Sequence, residues 1–446
     1  MKVKVISRNP DDYQRETNAD IHKLVRNYNV DKDPFQTQTE YVRAMNATKL
    51  ERVFAKPFVA SLDGHQEGVN VLANHPFRSS TIISGARDGQ IKIWDLPRKT
   101  CISTIQAHRG LINGLSVDQS QGTQMVTVGS DSQIKIWRVP ITGEEDGLDE
   151  PVHSIPLDEV AHSVSHIANS VEFVTSGDTV NVWRPQRDSP IRTYNLGVST
   201  IHCARANPVE EAVIVGLTLD RSIFVLDTRQ KTPLKKVTMK LRPNMVTWNP
   251  MEPFMFSVAN DDYNAYTFDM RYLQQPTKVH QGHTMAVIDV AYSPTGREIV
   301  TGSFDRTMRI FGTESASSRE VFHTKRMQHV LSVLYSADDK FVLSGSNEMN
   351  IRVWKSNPAE KLGPKTKRED AALKYAQKLR QQYKEHPEIR RIQRHRHVPS
   401  SVHNQANELR VIRSSKQKKE ERRIIHNNAK PQRPNHMVDE PAEQDE

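Results

Sequence analysis

Three sets of side chains that could do acid–base or metal chemistry recur along the chain. The sets are His65, Ser84, Asp88 and Trp94, then His108, Thr127, Asp131 and Trp137, then His283, Thr301 and Asp305. Histidine and aspartate together could act as a proton relay or hold a metal ion. Each set, however, occurs only once per repeating segment, which would keep the three sets apart. We therefore interpret them as structural hydrogen bonds, because buried polar side chains need partners.

The segments that carry these sets repeat with a nearly constant period. One copy is SGARDGQIKIWD at 84–95 and the next is VGSDSQIKIWR at 128–138. The equivalent aromatic or apolar position falls at Trp94, Trp137, Trp183, Leu226, Phe268, Phe311 and Trp354, at intervals of 43, 46, 43, 42, 43 and 43 residues. Alternating apolar residues after a tight Asp-Gly turn predict β-hairpins. Seven units of this length predict seven four-stranded propeller blades.

The repeats resemble WD repeats over residues 62–355, most clearly in copies one, two, six and seven. In that family the histidine, hydroxyl, aspartate and tryptophan of a blade form a hydrogen-bonded chain. Phe311 has no N–H to donate and Glu348 replaces the turn aspartate in the last copy, so we expect incomplete chains in copies six and seven. Trp354 keeps the aromatic position of the last copy. The predicted fold class is all-β, a seven-bladed WD-repeat propeller.

The sequence lacks the common signatures of catalysis and of cofactor binding. No phosphate-binding glycine loop, no G-x-S-x-G and no H-E-x-x-H is present. Cys101 and Cys203 are too few for a disulfide framework or a cysteine zinc site, and we expect two buried, inert thiols. We predict a protein that is not an enzyme and needs no cofactor or metal. Without an apolar run of about 20 residues or an apolar leader, a soluble intracellular protein with no membrane partner is expected.

Two of the repeats end in an aspartate followed two residues later by an arginine. The pairs are Asp227 with Arg229 and Asp269 with Arg271. They resemble the W-D-x-R element of propellers that serve as substrate receptors of cullin-RING ubiquitin ligases, although leucine and phenylalanine replace the tryptophan. The resemblance implies contact with the ligase's triple-propeller adaptor. The alternative is an ion pair within each blade, and exposed ion pairs of this kind signify little.

Positive charge is concentrated after the last repeat. The net charge is +9, and residues 355–446 hold 22 Lys/Arg against 13 Asp/Glu, which accounts for the whole excess. A neutral body with a basic appendage favours a polyanionic partner, either nucleic acid or an acidic protein surface. An anionic membrane surface is a weaker alternative.

The basic segment is predicted to be helical. Thr366 and Glu369 form a capping box before the first helix, and two further helical stretches follow. The candidate RNA or ribonucleoprotein contacts are Arg390, Arg391, Arg394, His395, Arg396, His397, Lys416, Lys418, Lys419, Arg422 and Arg423. Arginine can bind phosphates through two parallel hydrogen bonds, and each phosphate contact adds a salt-dependent increment of affinity. A nuclear-targeting run or a solvated helix face is the alternative. The histidines lack nearby metal-ligand partners.

The flanks divide the chain into four predicted segments. Residues 1–51 are sparse in apolar side chains and form an extended N-terminal arm with a short helical stretch at 40–50. Residues 52–355 form the propeller, which is closed by a strand at 52–62 whose proline is tolerated at a sheet edge. Residues 356–426 form an α-helical basic C-terminal extension. Residues 427–446 form an acidic, disordered tail.

Four phrases together resemble the Sof family of nucleolar WD-repeat proteins. They are ATKLERVFAKPF at 47–58, TKRMQHV at 324–330, EMNIRVWK at 348–355 and RRIQRHRHVP at 390–399. The resemblance implies a scaffold of the small-subunit processome in the nucleus and nucleolus. Its implied partners are pre-ribosomal RNA, a box C/D small nucleolar ribonucleoprotein and other processome proteins. The chain also resembles DDB-and-cullin-associated WD-repeat factors, so a substrate receptor of a cullin-RING E3 ligase is the alternative function.

Overall fold

The described part of the chain is almost entirely strand, with helices at its two ends. The computed structural model describes residues 35–139, 150–197 and 200–427. Within these ranges, 28 strands form seven four-stranded sheets. The prediction of a seven-bladed propeller is confirmed.

The strands follow one another in chain order within six of the seven blades. The first three blades are β2 (Val69–Asn74), β3 (Thr81–Ala86), β4 (Gln90–Asp95) and β5 (Thr100–Gln106); β6 (Ile112–Val117), β7 (Gln124–Gly129), β8 (Gln133–Arg138) and β9 (His153–Pro156); and β10 (Ser163–His166), β11 (Phe173–Ser176), β12 (Val180–Trp183) and β13 (Arg192–Tyr194). The next three are β14 (Ile201–Ala206), β15 (Val213–Thr218), β16 (Ser222–Asp227) and β17 (Lys235–Thr238); β18 (Pro243–Trp248), β19 (Met255–Asn260), β20 (Ala265–Asp269) and β21 (Lys278–His280); and β22 (Val287–Tyr292), β23 (Glu298–Ser303), β24 (Met308–Gly312) and β25 (Ser318–Phe322).

The seventh blade joins the two ends of the ring. It contains β26 (Val330–Tyr335), β27 (Phe341–Ser346) and β28 (Asn350–Lys355), with β1 (Phe58–Asp63) as the outer strand. In the register of β1 on β28, Phe58 lies opposite Trp354 and Leu62 opposite Ile351. The strand begins six residues later than position 52, because residues up to Val53 belong to a helix.

The first strands of the blades contact one another around the centre of the ring. Polar side chains on these strands reach the backbone of the next blade. Examples are Asn70 to the Ile112 carbonyl at 2.9 Å, Asn113 to the Ala161 carbonyl at 2.9 Å and Asn244 to the Val287 carbonyl at 2.8 Å. Between the sheets the core is apolar, with Phe256 and Phe268 stacked at 5.7 Å. Hydrophobic burial and these inter-blade bonds hold the ring together.

The antiparallel order gives the propeller two distinct faces. We call the lower face the one that carries the turns between first and second strands and between third and fourth strands. The upper face carries the turns between second and third strands and the connections to the next blade. Asp227 and Asp269 end third strands and therefore lie on the lower face. The histidines that precede first strands lie on the upper face.

A separate helical unit combines both flanks of the propeller. Its helices are α1 (Gln36–Val53), α2 (Lys367–Gln382) and α3 (Pro387–Arg394). Ala44 of α1, Leu379 of α2 and Ile389 of α3 form its small buried core. The predicted helical stretch at 40–50 is therefore confirmed, and the helix is longer than predicted at both ends. The prediction of an extended arm otherwise falls on residues 1–34, outside the described ranges.

Polar contacts add to this small helical core. The Tyr41 hydroxyl donates to the Glu388 carboxylate at 3.0 Å, and Arg380 forms an ion pair with Glu51. The predicted capping box of α2 is confirmed, with the Thr366 hydroxyl accepting from the Glu369 N–H at 3.3 Å. A fourth helix, α4 (Ser400–Asn427), belongs to the same compact unit as the propeller. None of the described helices has the length and apolar character needed to span a membrane.

Candidate protein and nucleic-acid interfaces

Blade two contains the complete hydrogen-bonded chain. The His108 ring lies between the Asp131 carboxylate (Nδ1 to Oδ1, 2.8 Å) and the Thr127 hydroxyl (Nε2 to Oγ1, 2.9 Å). The Trp137 indole N–H donates to the same hydroxyl at 3.0 Å. Burial lowers the pKa of His108, although the neighbouring Asp131 opposes the shift. The chain therefore ties a loop, two strands and a turn together around a histidine that favours its neutral form.

Blade one contains only part of this chain. His65 Nε2 lies 2.7 Å from the Ser84 hydroxyl, which also accepts from the Trp94 indole at 2.8 Å. Asp88 accepts from the Gln90 N–H at 2.9 Å instead of reaching His65. Among the described residues, His65 Nδ1 has no hydrogen-bond partner. Sequence alone did not reveal this gap, because all four residue types are present.

Blades six and seven lack part of the hydrogen-bonded chain, as expected from their sequences. His283 lies 2.8 Å from the Asp305 carboxylate and 2.7 Å from the Thr301 hydroxyl, while Phe311 offers no donor. In the seventh blade the Trp354 indole donates to the Ser344 hydroxyl at 2.9 Å. The acidic turn residue of that blade pairs with a strand arginine instead.

These side chains support the blades and do not form a shared reaction centre. Each chain of bonds stays within one sheet. Among the described residues, no group of three or more histidine, cysteine or acidic side chains could hold a metal ion. Cys203 is buried as expected, but Cys101 is exposed because it lies on β5, the outer strand of blade one.

The two Asp-x-Arg elements of the lower face differ in how their arginines are engaged. The Arg271 guanidinium pairs with its own Asp269 at 2.8 Å and lies 4.6 Å above the centre of the Phe254 ring. The Arg271 side chain holds the pKa of Asp269 below its usual range. Arg229 donates only its backbone N–H to Asp227, at 2.9 Å. Within the described ranges, no acidic side chain forms an ion pair with Arg229.

Arg229 lines a cavity of about 500 Å³ between blades three and four. The cavity also contains Arg192, whose guanidinium donates to the Thr228 carbonyl, and the carboxylates of Glu172, Glu210 and Glu211. It opens on the lower face, because its walls are turns of that face. The sequence indicated Arg229 but not the cavity, since the walls come from separate repeats.

The basic side chains that were predicted to contact RNA from α3 are exposed. Arg390, Arg391 and Arg394 are exposed, as is His395 just after the helix. The helix keeps this orientation because Ile389 is fully buried in the helical core. Three guanidinium groups within five positions thus face solvent on this unit.

Arg396 and His397 contact blade six of the propeller. The Arg396 side chain is only 14% exposed and lies 2.8 Å from the Glu320 carboxylate on the outer strand of blade six. The His397 ring stacks on His323 at 5.6 Å, and its carbonyl accepts from His323 Nε2 at 3.0 Å. Both residues fasten the segment before α4 to the propeller. The RNA contact of Arg396 stays a prediction, and it would compete with this ion pair.

The helix α4 presents the other predicted cations. Near its start Val402 is 3% exposed, and the Gln405 side chain accepts from the Thr284 hydroxyl at 3.1 Å on the upper face. Further along, the exposed basic side chains are Lys416, Lys418, Lys419, Arg422 and Arg423. Arg423 pairs with Glu420 at 2.8 Å. The remaining four offer charge to a partner near the end of the helix.

Comparison with family models matches two parts of the chain. The Sof1-like domain matches residues 356–439. The WD domain, G-beta repeat, matches residues 56–95, 99–138, 274–312 and 320–355, which are the four clearest copies. Among solved structures, the WD40 β-propeller domain of Doa1 has a TM-score of 0.57 at 18% identity and covers 67% of this chain and 96% of its own. This likeness concerns the fold alone.

Relatives of similar length share about half of their residues with this chain. "DDB1- and CUL4-associated factor 13" of Xenopus laevis is 50% identical over 427 residues, which cover 96% of this chain and 95% of the relative. The proteins of the same name from Homo sapiens and Dictyostelium discoideum are 48% and 43% identical, each over 96% of this chain.

Proposed function

Because the chain belongs to the family of DDB1- and CUL4-associated factor 13, with a Sof1-like domain after its WD repeats, we propose that it is a scaffold of the small-subunit processome. In this role it supports pre-ribosomal RNA processing and small-subunit assembly without catalysing a reaction itself. The proposed partners are pre-ribosomal RNA, a box C/D small nucleolar ribonucleoprotein and other processome proteins, in the nucleus and nucleolus.

One observation carries this proposal, namely the exposed arginines of the Sof1-like segment. Arg390, Arg391 and Arg394 face solvent together on α3, and in the described structure none of their guanidinium groups forms an ion pair. Unpaired guanidinium groups can bind phosphates without first giving up an internal partner. The exposed cations of α4, in the compact unit of the propeller, could bind phosphates in the same way.

Charge reversal tests this contact. We expect Arg390→Glu, Arg391→Glu and Arg394→Glu together to reduce co-sedimentation with pre-ribosomal particles at least tenfold at physiological salt, because several phosphate contacts are replaced by repulsion. The matched control reverses Arg43, Lys49 and Lys378, three exposed cations of the same helical unit. Co-sedimentation that is equal for the wild type and both triple variants would contradict the proposed RNA contact.

A second candidate function is a substrate receptor of a cullin-RING ligase. It draws on the relatives' name, which associates them with DDB1 and CUL4. The Arg229 guanidinium supports this candidate, since it lines an open cavity without an ion-pair partner among the described residues. A partner's carboxylate could bind there without displacing an internal one.

The two Asp-x-Arg elements allow an internal comparison. We expect Arg229→Ala to weaken binding to purified DDB1 about tenfold or more, as loss of an interface hot spot does. Arg271→Ala should weaken binding less, because Arg271 is already engaged with Asp269 and Phe254. Calorimetry would measure the affinity of each variant for DDB1. Equal affinities for the wild type and both variants would count against this surface as the DDB1 contact.

A further inference from the structure

Blade three lacks two side chains that blades one, two and six have in common. In blades one, two and six a histidine contacts the hydroxyl of the second strand. In blade three the equivalent hydroxyl is that of Thr175, which is 2% exposed and accepts from the Trp183 indole at 2.9 Å. Among the described residues no histidine hydrogen-bonds to it, and the preceding segment at 156–161 runs PLDEVA.

The second missing side chain is a long cation on the third strand. The residue opposite the hydroxyl is Lys92 in blade one, Lys135 in blade two, Arg309 in blade six and Arg352 in blade seven. In blade three the residue opposite Thr175 is Asn181. Asparagine is too short to place an atom where the charged ends of these side chains lie.

Other blades show where that charged end goes. The Lys135 ammonium group donates to the Ala107 carbonyl at 2.6 Å, in the segment that leads into blade two. The Arg309 guanidinium lies against Gly282 in the corresponding segment of blade six and is 8% exposed. In blades one, two and six a cation therefore lies between the third strand and the preceding segment. Blades four and five have Phe224 and Tyr266 at the equivalent position.

In blade three the space between the third strand and the preceding segment is an open cavity of about 310 Å³. Its walls include Asp158, Glu159 and Asp188, and no described lysine or arginine lines it. The Asn181 Oδ1 atom is buried and accepts no hydrogen bond from the described residues. Asp188 is held 2.8 Å from His153 Nε2 at the margin. The cavity thus combines acidic walls with an acceptor that lacks a donor.

We propose that this cavity binds the cationic end of an arginine or lysine side chain from a basic segment of a protein partner. The incoming side chain would supply in trans the charge that blades one, two and six supply from their own third strand. Its N–H groups would donate to Asn181 Oδ1 and to the carboxylates, and its stem would pack against the Trp183 wall. A nucleic acid is disfavoured here, because the acidic walls repel phosphates. The proposal adds a basic protein partner to the proposed scaffold function and does not depend on it.

Small probes test the proposal on the purified full-length protein. We expect N-acetyl-arginine amide to bind saturably, measured by calorimetry at constant ionic strength, and N-acetyl-citrulline amide, its uncharged isostere, to bind at least tenfold more weakly. Glu159→Gln with Asp188→Asn should weaken arginine binding at least tenfold. The control, Glu314→Gln with Asp338→Asn, removes the same charge from two exposed acids elsewhere and should leave binding unchanged.

Filling the cavity from within provides an independent test. Asn181→Lys restores the side chain of blades one and two, and we expect it to raise the Tm and abolish arginine binding. Asn181→Met adds similar volume without charge and should give a smaller increase in Tm. Equal binding of arginine and citrulline probes, no binding of either, full binding by the acid-neutralised variant, or full binding by Asn181→Lys would each overturn the proposal.

Discussion

At the residue scale, the propeller depends on polar side chains that are neutral when buried. His166 illustrates this. Its Nδ1 lies 2.8 Å from the Ser116 hydroxyl of the neighbouring blade, and burial lowers its pKa to about 4. The contact of His166 was not predictable from the sequence, because a histidine in a weak repeat copy carries no local signal that its partner lies on another blade.

This shift predicts a pH dependence of stability. The folded-state pKa of His166 is below its unfolded value near 6.5, so its contribution is present above pH 6.5 and is lost as the pH falls towards 4. We expect His166→Gln to reduce the loss of unfolding free energy between pH 7 and pH 4.5 by about 2 kcal/mol. Urea unfolding at several pH values measures this loss. The exposed His403→Gln is the control, and identical pH profiles for all three proteins would refute the assignment.

At the element scale, the sequence was most informative where the pattern is local. In β4 the buried Ile91 and Ile93 flank Lys92, and this alternation predicts a strand without knowledge of its neighbours. The capping box of α2 is equally local, since Thr366 and Glu369 are three residues apart. Period and turn chemistry together were sufficient to predict the seven blades.

Contacts that depend on distant residues were not predictable in the same way, even where the element itself was. The helix α1 has only two buried side chains, Ala44 and Thr48, and its partners lie more than 300 residues away. An RNA contact was predicted for Arg396 because its neighbours in the sequence are basic. Its ion-pair partner in the structure, Glu320, lies in another element. The cavity of blade three likewise follows from two absent side chains, which is visible only once the strand register is known.

At the scale of the whole molecule, the helices that flank the propeller in sequence are distributed over both compact units. The closing strand β1 brings the N-terminal side of the chain onto the seventh blade, and α1 immediately before it enters the helical core with α2 and α3. The segment that matches the Sof1-like domain is thus divided. Its first two helices share a core with α1, and α4 belongs with the propeller. We infer that α2 and α3 do not form a complete folding unit without α1.

A buried charge in α1 tests this dependence in the full-length protein. Ala44 is fully buried between the three helices, so Ala44→Asp places a carboxylate in a core of few apolar side chains. We expect the core to open, because an unpaired buried charge costs several kcal/mol. Tryptic cleavage within residues 367–394, followed by mass spectrometry, should become at least tenfold faster. Asn46→Asp adds the same carboxylate at an exposed position of α1 and should leave cleavage unchanged. Equal cleavage rates for both variants would mean that α2 and α3 hold their structure without α1.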